Sequence, residues 1–291
     1  MTTPPVPTIP ISTDGEHPVW ADVYESGDGA RSGRVVVLCH GMKGYRRWGF
    51  IPRLAEAVNA VGITALAIDF SHNGVAGGDG GAGGGPIYPH PEMIRRNTID
   101  RESRDLAAVI AWIRAGGGGR LEPAARIGLW GHSRGGTSVV LNALAAPRDV
   151  AAIATWSAPA HADIYQPRQK ARWREAGEYD WLEGESGQRL AMGISFLDDL
   201  EAHSDEYALA DRSAGLEIPH LIVHGKVDLV IPPDNAHRFA EARKTDAETR
   251  LVLLRTGHTY GVGGSGNPGP LTTAIDETAG WFRRHLLANG E

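Results

Sequence analysis

The sequence predicts an α/β fold in which a mostly parallel sheet is covered by helices on both faces. Short β-branched runs alternate with longer segments whose apolar residues recur at three- and four-residue spacing, the pattern of amphipathic helices. The short runs have no polar side, which is typical of strands buried on both faces of a sheet. These predicted strands lie at 34–39, 63–70, 126–130, 150–155, 220–224 and 249–254.

Predicted helices follow or separate these strands. They lie at 48–62, 99–116, 136–146, 236–244 and 274–286, and several end at glycine, a common helix stop. Upstream of the first long strand, the apolar runs 9–12 and 18–26 are separated by the turn-like residues 13–16. This arrangement predicts an antiparallel hairpin that leads into the sheet.

Two segments interrupt the alternation. Residues 74–86 are rich in glycine and poor in apolar residues, so we expect a mobile surface loop there. The segment from about 160 to 216 is polar and aromatic by turns and stands where only a short connection is needed. It leaves the carboxyl end of the strand at 150–155, where ligands of α/β sheets bind. We therefore interpret residues 1–291 as a single domain with a cap-like insertion at about 160–216.

Composition excludes several kinds of partner and compartment. With 29 Lys and Arg against 35 Asp and Glu, the formal net charge is −6, so we expect no nucleic acid partner. Cys39 is the single cysteine, which rules out an intrachain disulfide and suits a buried, inert thiol. The first residues do not have the pattern of a signal peptide, and no apolar run is long enough for a bilayer span. We expect a cytoplasmic protein without a membrane partner; the sequence does not indicate its oligomeric state.

The strand at 126–130 runs directly into Gly131-His132-Ser133-Arg134-Gly135 and then into a predicted helix. This is the Gly-x-Ser-x-Gly nucleophile elbow in its strand–turn–helix context. The turn holds the serine in a strained backbone conformation, and a side chain at either flanking glycine would collide with a neighbouring element. The pattern therefore predicts that the Ser133 hydroxyl is a nucleophile.

A serine hydroxyl needs an imidazole to accept its proton and a carboxylate to orient that imidazole. Where a nucleophile elbow is present, these partners follow the serine along the chain, the acid before the histidine. Asp228 comes just after the strand at 220–224, and His258 just after the strand at 249–254. We therefore predict a catalytic triad of Ser133, Asp228 and His258.

Other acids and histidines fit structural roles better. Asp234 follows two prolines and opens a helical pattern, as a helix cap or first-turn charge does. His132 and His224 adjoin the site and are expected to be packed, hydrogen-bonded histidines. Solvent exposure is expected for the acids of the insertion, Asp198, Asp199 and Asp205.

Hydrolysis through a tetrahedral intermediate also needs N–H groups aimed at the oxyanion. The backbone N–H of Arg134, directly after the serine, is one expected donor. The loop after the strand at 34–39, which we call the oxyanion loop (residues 40–44), is expected to supply the other from Met42.

Substrate contacts are predicted for His40 and for the aromatic side chains of the insertion, which combine large apolar faces with polar tips. Anchoring of the insertion to the domain is the alternative role for these aromatic residues, which are Tyr165, Trp173, Tyr179 and Trp181. A basic run in the same segment either binds an anionic group of the substrate or forms a solvated helix face, and the second interpretation is the better one. Its members are Arg168, Lys170, Arg172 and Arg174.

His40-Gly41, Gly131-His132-Ser133-Arg134-Gly135, Gly225-Lys226-Val227-Asp228 and Gly257-His258 together resemble the α/β-hydrolase superfamily. The resemblance extends from about residue 17 to 287 and implies the α/β-hydrolase fold. Within the superfamily the chain resembles the dienelactone-hydrolase-like and small bacterial serine esterase branch. It differs from dienelactone hydrolases in having Ser133 where they have cysteine, and it lacks the His-Gly-Gly-Gly loop of hormone-sensitive-lipase-like esterases.

The resemblance implies a serine esterase that cleaves a small-molecule carboxylic ester or thioester through an acyl-enzyme. No cofactor and no metal are implied, because serine, imidazole and main-chain donors suffice for acyl transfer. The same fold also hosts C–C bond hydrolases, acyltransferases, peptidases and non-catalytic binding proteins, so these remain alternatives.

Overall fold

The structure is a computed structural model that describes residues 6–13, 15–25, 32–75, 77, 88–182, 187–263 and 267–287. Ten strands lie in this described part of the chain: β1 Thr8–Ile11, β2 Val19–Tyr24, β3 Ser32–Cys39, β4 Thr64–Asp69, β5 Leu121–His132, β6 Ala152–Trp156, β7 Glu178–Leu182, β8 Arg189–Gly193, β9 His220–Gly225 and β10 Thr249–Leu254. All the predicted strands form, with ends that differ by a few residues.

The main sheet has the order β1-β2-β4-β3-β5-β6-β9-β10. Six neighbouring strands of this sheet, β4, β3, β5, β6, β9 and β10, run parallel to one another. The β1–β2 hairpin joins the sheet at β4, with β2 antiparallel to β4. Because the central strands are parallel, the loops after β3, β5, β9 and β10 emerge at the same edge of the sheet. The mostly parallel sheet and the leading hairpin are as predicted.

The helices of the described residues are α1 Ile51–Ala60, α2 Pro91–Arg96, α3 Ile99–Arg114, α4 Arg134–Ala145, α5 Pro167–Ala176, α6 Ile194–Ala202, α7 Leu209–Arg212, α8 Asp234–Ala242 and α9 Gly269–Phe282. Helices α1 and α9 pack on one face of the sheet, and α3, α4 and α8 pack on the other. Both faces are therefore covered, as the apolar strands require. None of these helices combines the length and apolar character that crossing a membrane needs.

Residues between β6 and β9 form a small subdomain of α5, the antiparallel β7–β8 hairpin, α6 and α7. Most of this segment is the predicted insertion, whose internal helices and strands the sequence patterns did not define. Only Gly74, Val75 and Gly77 of the predicted glycine-rich loop at 74–86 are described. Val75 is buried in the core, so the prediction of a surface loop is wrong for this residue.

Asp199 of α6 is buried, so the prediction that it is solvated is wrong. Its Oδ2 accepts hydrogen bonds from the N–H groups of Ile99, at 2.9 Å, and Asp100, at 3.3 Å. These are the first residues of α3, where a helix has unsatisfied N–H groups and stabilises negative charge. The Tyr207 hydroxyl donates to the same oxygen at 3.0 Å. Burial raises the pKa of this carboxyl, although those donors oppose the shift. Asp198 and Asp205 are exposed, as expected.

Asp199→Ala should lower the free energy of unfolding by about 1–3 kcal/mol, because it leaves the N–H groups of Ile99 and Asp100 at the start of α3, and the Tyr207 hydroxyl, without this acceptor. Asp198→Ala is the matched control. That neighbour is exposed and forms only a surface ion pair with Arg174, so its loss should cost less than about 1 kcal/mol. Urea denaturation measures both values, and equal losses would contradict the capping role.

Candidate active site

Ser133 lies at the sharp turn between β5 and α4, with φ 53° and ψ −124°. A positive φ is costly for a residue with a side chain, and such strain persists only where the surroundings enforce it. Here the Ser133 N–H donates to the carbonyl of Trp156 on the neighbouring strand β6, at 2.8 Å. The turn is therefore held by the adjacent strand as well as by its own sequence.

The glycines on either side of Ser133 are required by close packing. A Cβ on Gly131 would lie 2.4 Å from the carbonyl of Gly135, and a Cβ on Gly135 would lie 2.5 Å from the carbonyl oxygens of Cys39 and His40. Both separations are shorter than real contacts allow. The expected collision of a side chain at either flanking glycine is confirmed. Because Gly135 has no side chain, the start of α4 can pack against the end of β3.

Asp228 and His258 meet through the loops after β9 and β10, which are neighbouring parallel strands. The distance from His258 Nδ1 to Asp228 Oδ2 is 2.8 Å. Asp228 is 2% exposed, and its other oxygen accepts the N–H groups of Val230 and Ile231, both at 2.9 Å. The acid is therefore fixed by its own turn and directed at Nδ1 of the imidazole.

The Asp228 carboxyl remains ionised despite its burial. Burial by itself would raise its pKa, but the hydrogen bond and charge of His258, the Ile231 amide and the Ser157 hydroxyl outweigh that effect. The pKa therefore lies below its ordinary value. An ionised acceptor at Nδ1 favours the tautomer whose proton is on Nδ1, which leaves Nε2 of His258 able to accept a proton.

The neighbouring histidines have structural contacts, as expected. His132 Nε2 donates to the His258 carbonyl at 3.0 Å, and burial lowers the pKa of His132 to about 3. His224 Nε2 donates to the Ile231 carbonyl at 2.8 Å, and burial lowers its pKa as well. Asp234 is in the first turn of α8, which also matches its expected role.

A cavity of about 430 Å³ opens above Ser133 and His258. Its walls are largely apolar and include residues that the sequence interpretation missed, namely Tyr45, Trp48, Tyr88 and Val230. Tyr45 and Trp48 directly follow the oxyanion loop at the carboxyl end of β3. Their place in the sequence could have identified Tyr45 and Trp48 as candidate wall residues, since ligands of parallel sheets bind at the carboxyl ends of strands.

The two expected oxyanion donors belong to two different segments of the chain, the start of α4 and the oxyanion loop. Arg134 is the first residue of α4, and the first N–H groups of a helix have no acceptor within the helix. Met42 is in the wall of the same cavity, as are Gly41 and Lys43. The oxyanion loop therefore borders the cavity above Ser133, whereas Arg134 is next to Ser133 in the chain but is not in the wall of that cavity.

None of the four aromatic residues of the insertion for which substrate contacts are predicted is in the wall of this cavity. Tyr165, Trp173 and Tyr179 instead pack on one another, with ring centroids 5.3–5.6 Å apart. Trp181 faces Lys43, whose Nζ is 5.1 Å from the ring centroid. The mutual packing of Tyr165, Trp173 and Tyr179 fits the alternative anchoring role, whereas Trp181 lines a small adjoining cavity together with Met42 and Lys43.

His40, for which a substrate contact is also predicted, is the first residue of the oxyanion loop and is 2% exposed. Its ring nitrogens contact the Gly41 carbonyl and the Phe70 N–H. The basic run of the insertion forms a solvated helix face: Lys170 pairs with Asp163, and Arg174 pairs with Asp198 and Glu201. Arg168 and Arg172 of the same run are exposed.

Residues 36–265 match the family described as "Alpha/beta hydrolase family". No curated protein matches the chain. Among solved structures, Est1E from Butyrivibrio proteoclasticus with ferulic acid bound is 19% identical, with a TM-score of 0.69 over 97% of this chain and 100% of that one. Dienelactone hydrolase from Anabaena variabilis is 17% identical, with a TM-score of 0.62 over 97% and 98%. Mouse alpha/beta hydrolase domain-containing protein 10 is 14% identical, with a TM-score of 0.69 over 96% and 99%. At these identities the likeness shows a shared fold.

Gly131→Ala should lower the free energy of unfolding by about 1–3 kcal/mol, because its methyl group overlaps the Gly135 backbone. Gly280→Ala serves as the control. Gly280 is inside helix α9 with no heavy atom within 4 Å of an added Cβ, so alanine there should be neutral or stabilising. Thermal and urea unfolding of both variants would measure this difference, and an unaffected Gly131→Ala protein would contradict the packing argument.

Proposed function

The chain belongs to the alpha/beta hydrolase family, and on that premise we propose that it is a serine hydrolase cleaving a carboxylic ester or thioester. In this proposal Ser133 is the nucleophile, His258 the general base and Asp228 the residue that orients the base. One observation carries the proposal. Nδ1 of His258 lies 2.8 Å from Oδ2 of the buried Asp228, which orients the imidazole, and His258 lines the same cavity as the strained Ser133 of the nucleophile elbow.

The proposed reaction begins when Ser133 Oγ attacks the carbonyl carbon of the substrate while His258 Nε2 takes the hydroxyl proton. The tetrahedral intermediate collapses, His258 returns the proton to the leaving alcohol or thiol, and an acyl-enzyme remains. Water then attacks the acyl carbon while His258 Nε2 takes a proton from it. The second tetrahedral intermediate collapses, His258 returns the proton to Ser133 Oγ, and the acid is released. Asp228 stabilises the imidazolium that forms in each half of the reaction without itself taking the proton.

Negative charge on the substrate oxygen is received by the N–H groups of Met42 and Arg134. Such donors are fixed before the reaction and therefore stabilise the transition state without further reorganisation.

The cavity supports a small-molecule ester with an apolar, preferably aromatic, group. Tyr45, Trp48 and Tyr88 provide flat ring surfaces, and Met42 and Val230 add apolar surface. The Est1E structure contains ferulic acid, an aromatic acid, in a protein of the same fold. That observation belongs to Est1E, and here it supports only the size and type of group that we propose.

We propose that the segment at about 160–216 acts as a cap within the single domain, through its contacts with the elbow and the oxyanion loop. Arg134 Nη1 lies 3.5 Å from Met192 Sδ on β8, and its guanidinium lies 5.3 Å from the Phe196 ring centroid on α6. Trp181 of β7 lies beside Lys43. The cap thus contacts both main-chain segments that supply the oxyanion donors.

The wild-type protein should gain one phosphonyl group from a fluorophosphonate probe, whereas Ser133→Ala should gain none. Asp228→Asn should lower kcat by about 10⁴-fold, the effect of such a change in a serine protease triad, because it favours the wrong imidazole tautomer. Intact mass spectrometry and hydrolysis of p-nitrophenyl esters measure the two effects.

Asp234→Asn is the control for Asp228→Asn, because Asp234 is a nearby acid in a helix first turn. It should keep kcat close to the wild-type value. A Ser133→Ala protein that still forms a covalent adduct, or equal kcat losses in the two asparagine variants, would overturn the proposed triad.

Trp48→Leu should change substrate preference, because it removes a flat ring from the cavity wall but keeps apolar bulk. We expect kcat/KM for aromatic acyl esters to fall about tenfold relative to acetate esters. Tyr179→Leu, in the aromatic cluster of the cap, should leave that ratio unchanged. A ratio that moves only in Tyr179→Leu would place the acyl pocket in the cap instead.

A further inference from the structure

A buried polar network lies under the oxyanion loop, and the chemistry described so far does not use it. We infer that Asn73, held by Asp69, fixes the tautomer of His40, and that His40 in turn fixes the direction of the Met42 N–H. Both are then positioning residues for the oxyanion donor. The inference rests on the proposed function, because it assigns these residues to that same reaction.

The contacts of His40 determine which ring nitrogen has the proton. The Phe70 N–H points at Nε2 over 3.3 Å, and a backbone N–H can only donate, so Nε2 must be the acceptor. On the other side of the ring, Nδ1 is 2.8 Å from the Gly41 carbonyl oxygen, which can only accept. The neutral ring therefore has its proton on Nδ1. Burial, the largest influence, lowers the pKa of His40 to about 4, which keeps the ring neutral near pH 7.

Asn73 adds a second donor to Nε2, and its amide orientation is determined by its partners. Its Oδ1 accepts the Val75 N–H at 3.0 Å, so its NH₂ group must face the other way. That group donates to Asp69 Oδ1 at 3.0 Å and lies 3.3 Å from His40 Nε2. One hydrogen is thus used on each acceptor, and a proton on Nε2 would meet two donors.

Asp69 is itself held in place by Arg46, which follows the oxyanion loop. It accepts the Arg46 N–H at 2.6 Å and forms a buried ion pair with the Arg46 guanidinium. The same guanidinium reaches Asp22 on β2 at 2.9 Å. This ion cluster connects the β1–β2 edge of the sheet to the oxyanion loop, and it gives Asn73 a fixed acceptor.

The bond from His40 to Gly41 matters because of peptide geometry. The Gly41 carbonyl and the Met42 N–H belong to one trans peptide unit, so they point in opposite directions. His40 Nδ1 and the Gly44 N–H, at 3.0 Å, both hold the carbonyl. The Met42 N–H is consequently turned away from His40.

Gly41, whose carbonyl His40 contacts, lies beside the nucleophile. A Cβ on Gly41 would lie 3.0 Å from Ser133 Cβ and 3.0 Å from the His132 carbonyl oxygen. Gly41 therefore lies directly beside Ser133, at a separation that leaves little room for a side chain. A rotation of the Gly41–Met42 peptide would remove one oxyanion donor while leaving the triad unchanged.

The test compares His40→Leu, which removes the Nδ1 donor, with His40→Asn, which keeps an N–H donor close to the Nδ1 position. His40→Leu should lower kcat by about 10²-fold with little change in KM, as loss of a donor used only in the transition state does. His40→Asn should recover much of this loss. His220→Leu is the control. His220 is a buried histidine at the first residue of β9, at the end of that strand away from Asp228, so its substitution should leave kcat unchanged.

Two spectroscopic readouts separate positioning from a general structural role. In a ¹³C-labelled acyl-enzyme, the carbonyl infrared band should move to higher frequency in His40→Leu, because one hydrogen bond to the oxygen is lost. ¹⁵N NMR should show the His40 proton on Nδ1 in the wild type, and the Nε2 resonance should shift in Asn73→Leu because Nε2 loses one of its two hydrogen-bond donors. The NMR measurements need no activity and do not depend on how well His40→Leu folds.

The outcomes distinguish this inference from the proposed function. A wild-type protein that neither hydrolyses esters nor reacts with a fluorophosphonate would end the proposed function, and the assignment to oxyanion binding with it. An active wild type with a proton on Nε2 of His40, or with an unchanged carbonyl band in His40→Leu, would overturn the positioning role alone.

Discussion

The site depends on a crossing of backbones that leaves no room for side chains. Gly131 and Gly135 let the end of β5, the start of α4 and the end of β3 approach within contact distance, and Ser133 stands at the top of that crossing. The same approach places the oxyanion loop beside the serine. Strain at Ser133 is maintained because strand β6 holds its N–H and the packed elements around it leave no relaxed alternative.

The parallel sheet then assembles the remaining groups. Since β9 and β10 are neighbours, their loops place Asp228 and His258 within hydrogen-bonding distance although they are far apart in sequence. His132, inside the elbow motif, supports the His258 carbonyl from below. On the other side of Ser133, His40 contacts the Gly41 carbonyl. Two buried, neutral histidines thus hold main chain, and the ionised Asp228 holds the imidazole proposed to work in the reaction.

Features governed by local pattern could be predicted from the sequence. The apolar strands, the helices between them and the chain order of Ser133, Asp228 and His258 all follow from short motifs and periodicity.

Features governed by partners that are distant in the sequence could not be predicted from it. Asp199 looked solvated because its partners, at the start of α3, are about a hundred residues away. Trp48 became a wall residue through a loop that Arg46 ties to Asp22 and Asp69. The aromatic residues of the insertion could have faced either the cavity or one another, and three of them pack on one another.

The most direct test of the account is a crystal structure of the protein after reaction with a fluorophosphonate, whose adduct mimics the tetrahedral intermediate. We predict phosphorus bonded to Ser133 Oγ, with the phosphonyl oxygen about 2.7–3.1 Å from both the Met42 and the Arg134 nitrogen. His258 Nε2 should face the Ser133 oxygen while Nδ1 keeps its bond to Asp228. An adduct on another residue, or a phosphonyl oxygen turned away from both N–H groups, would contradict the account.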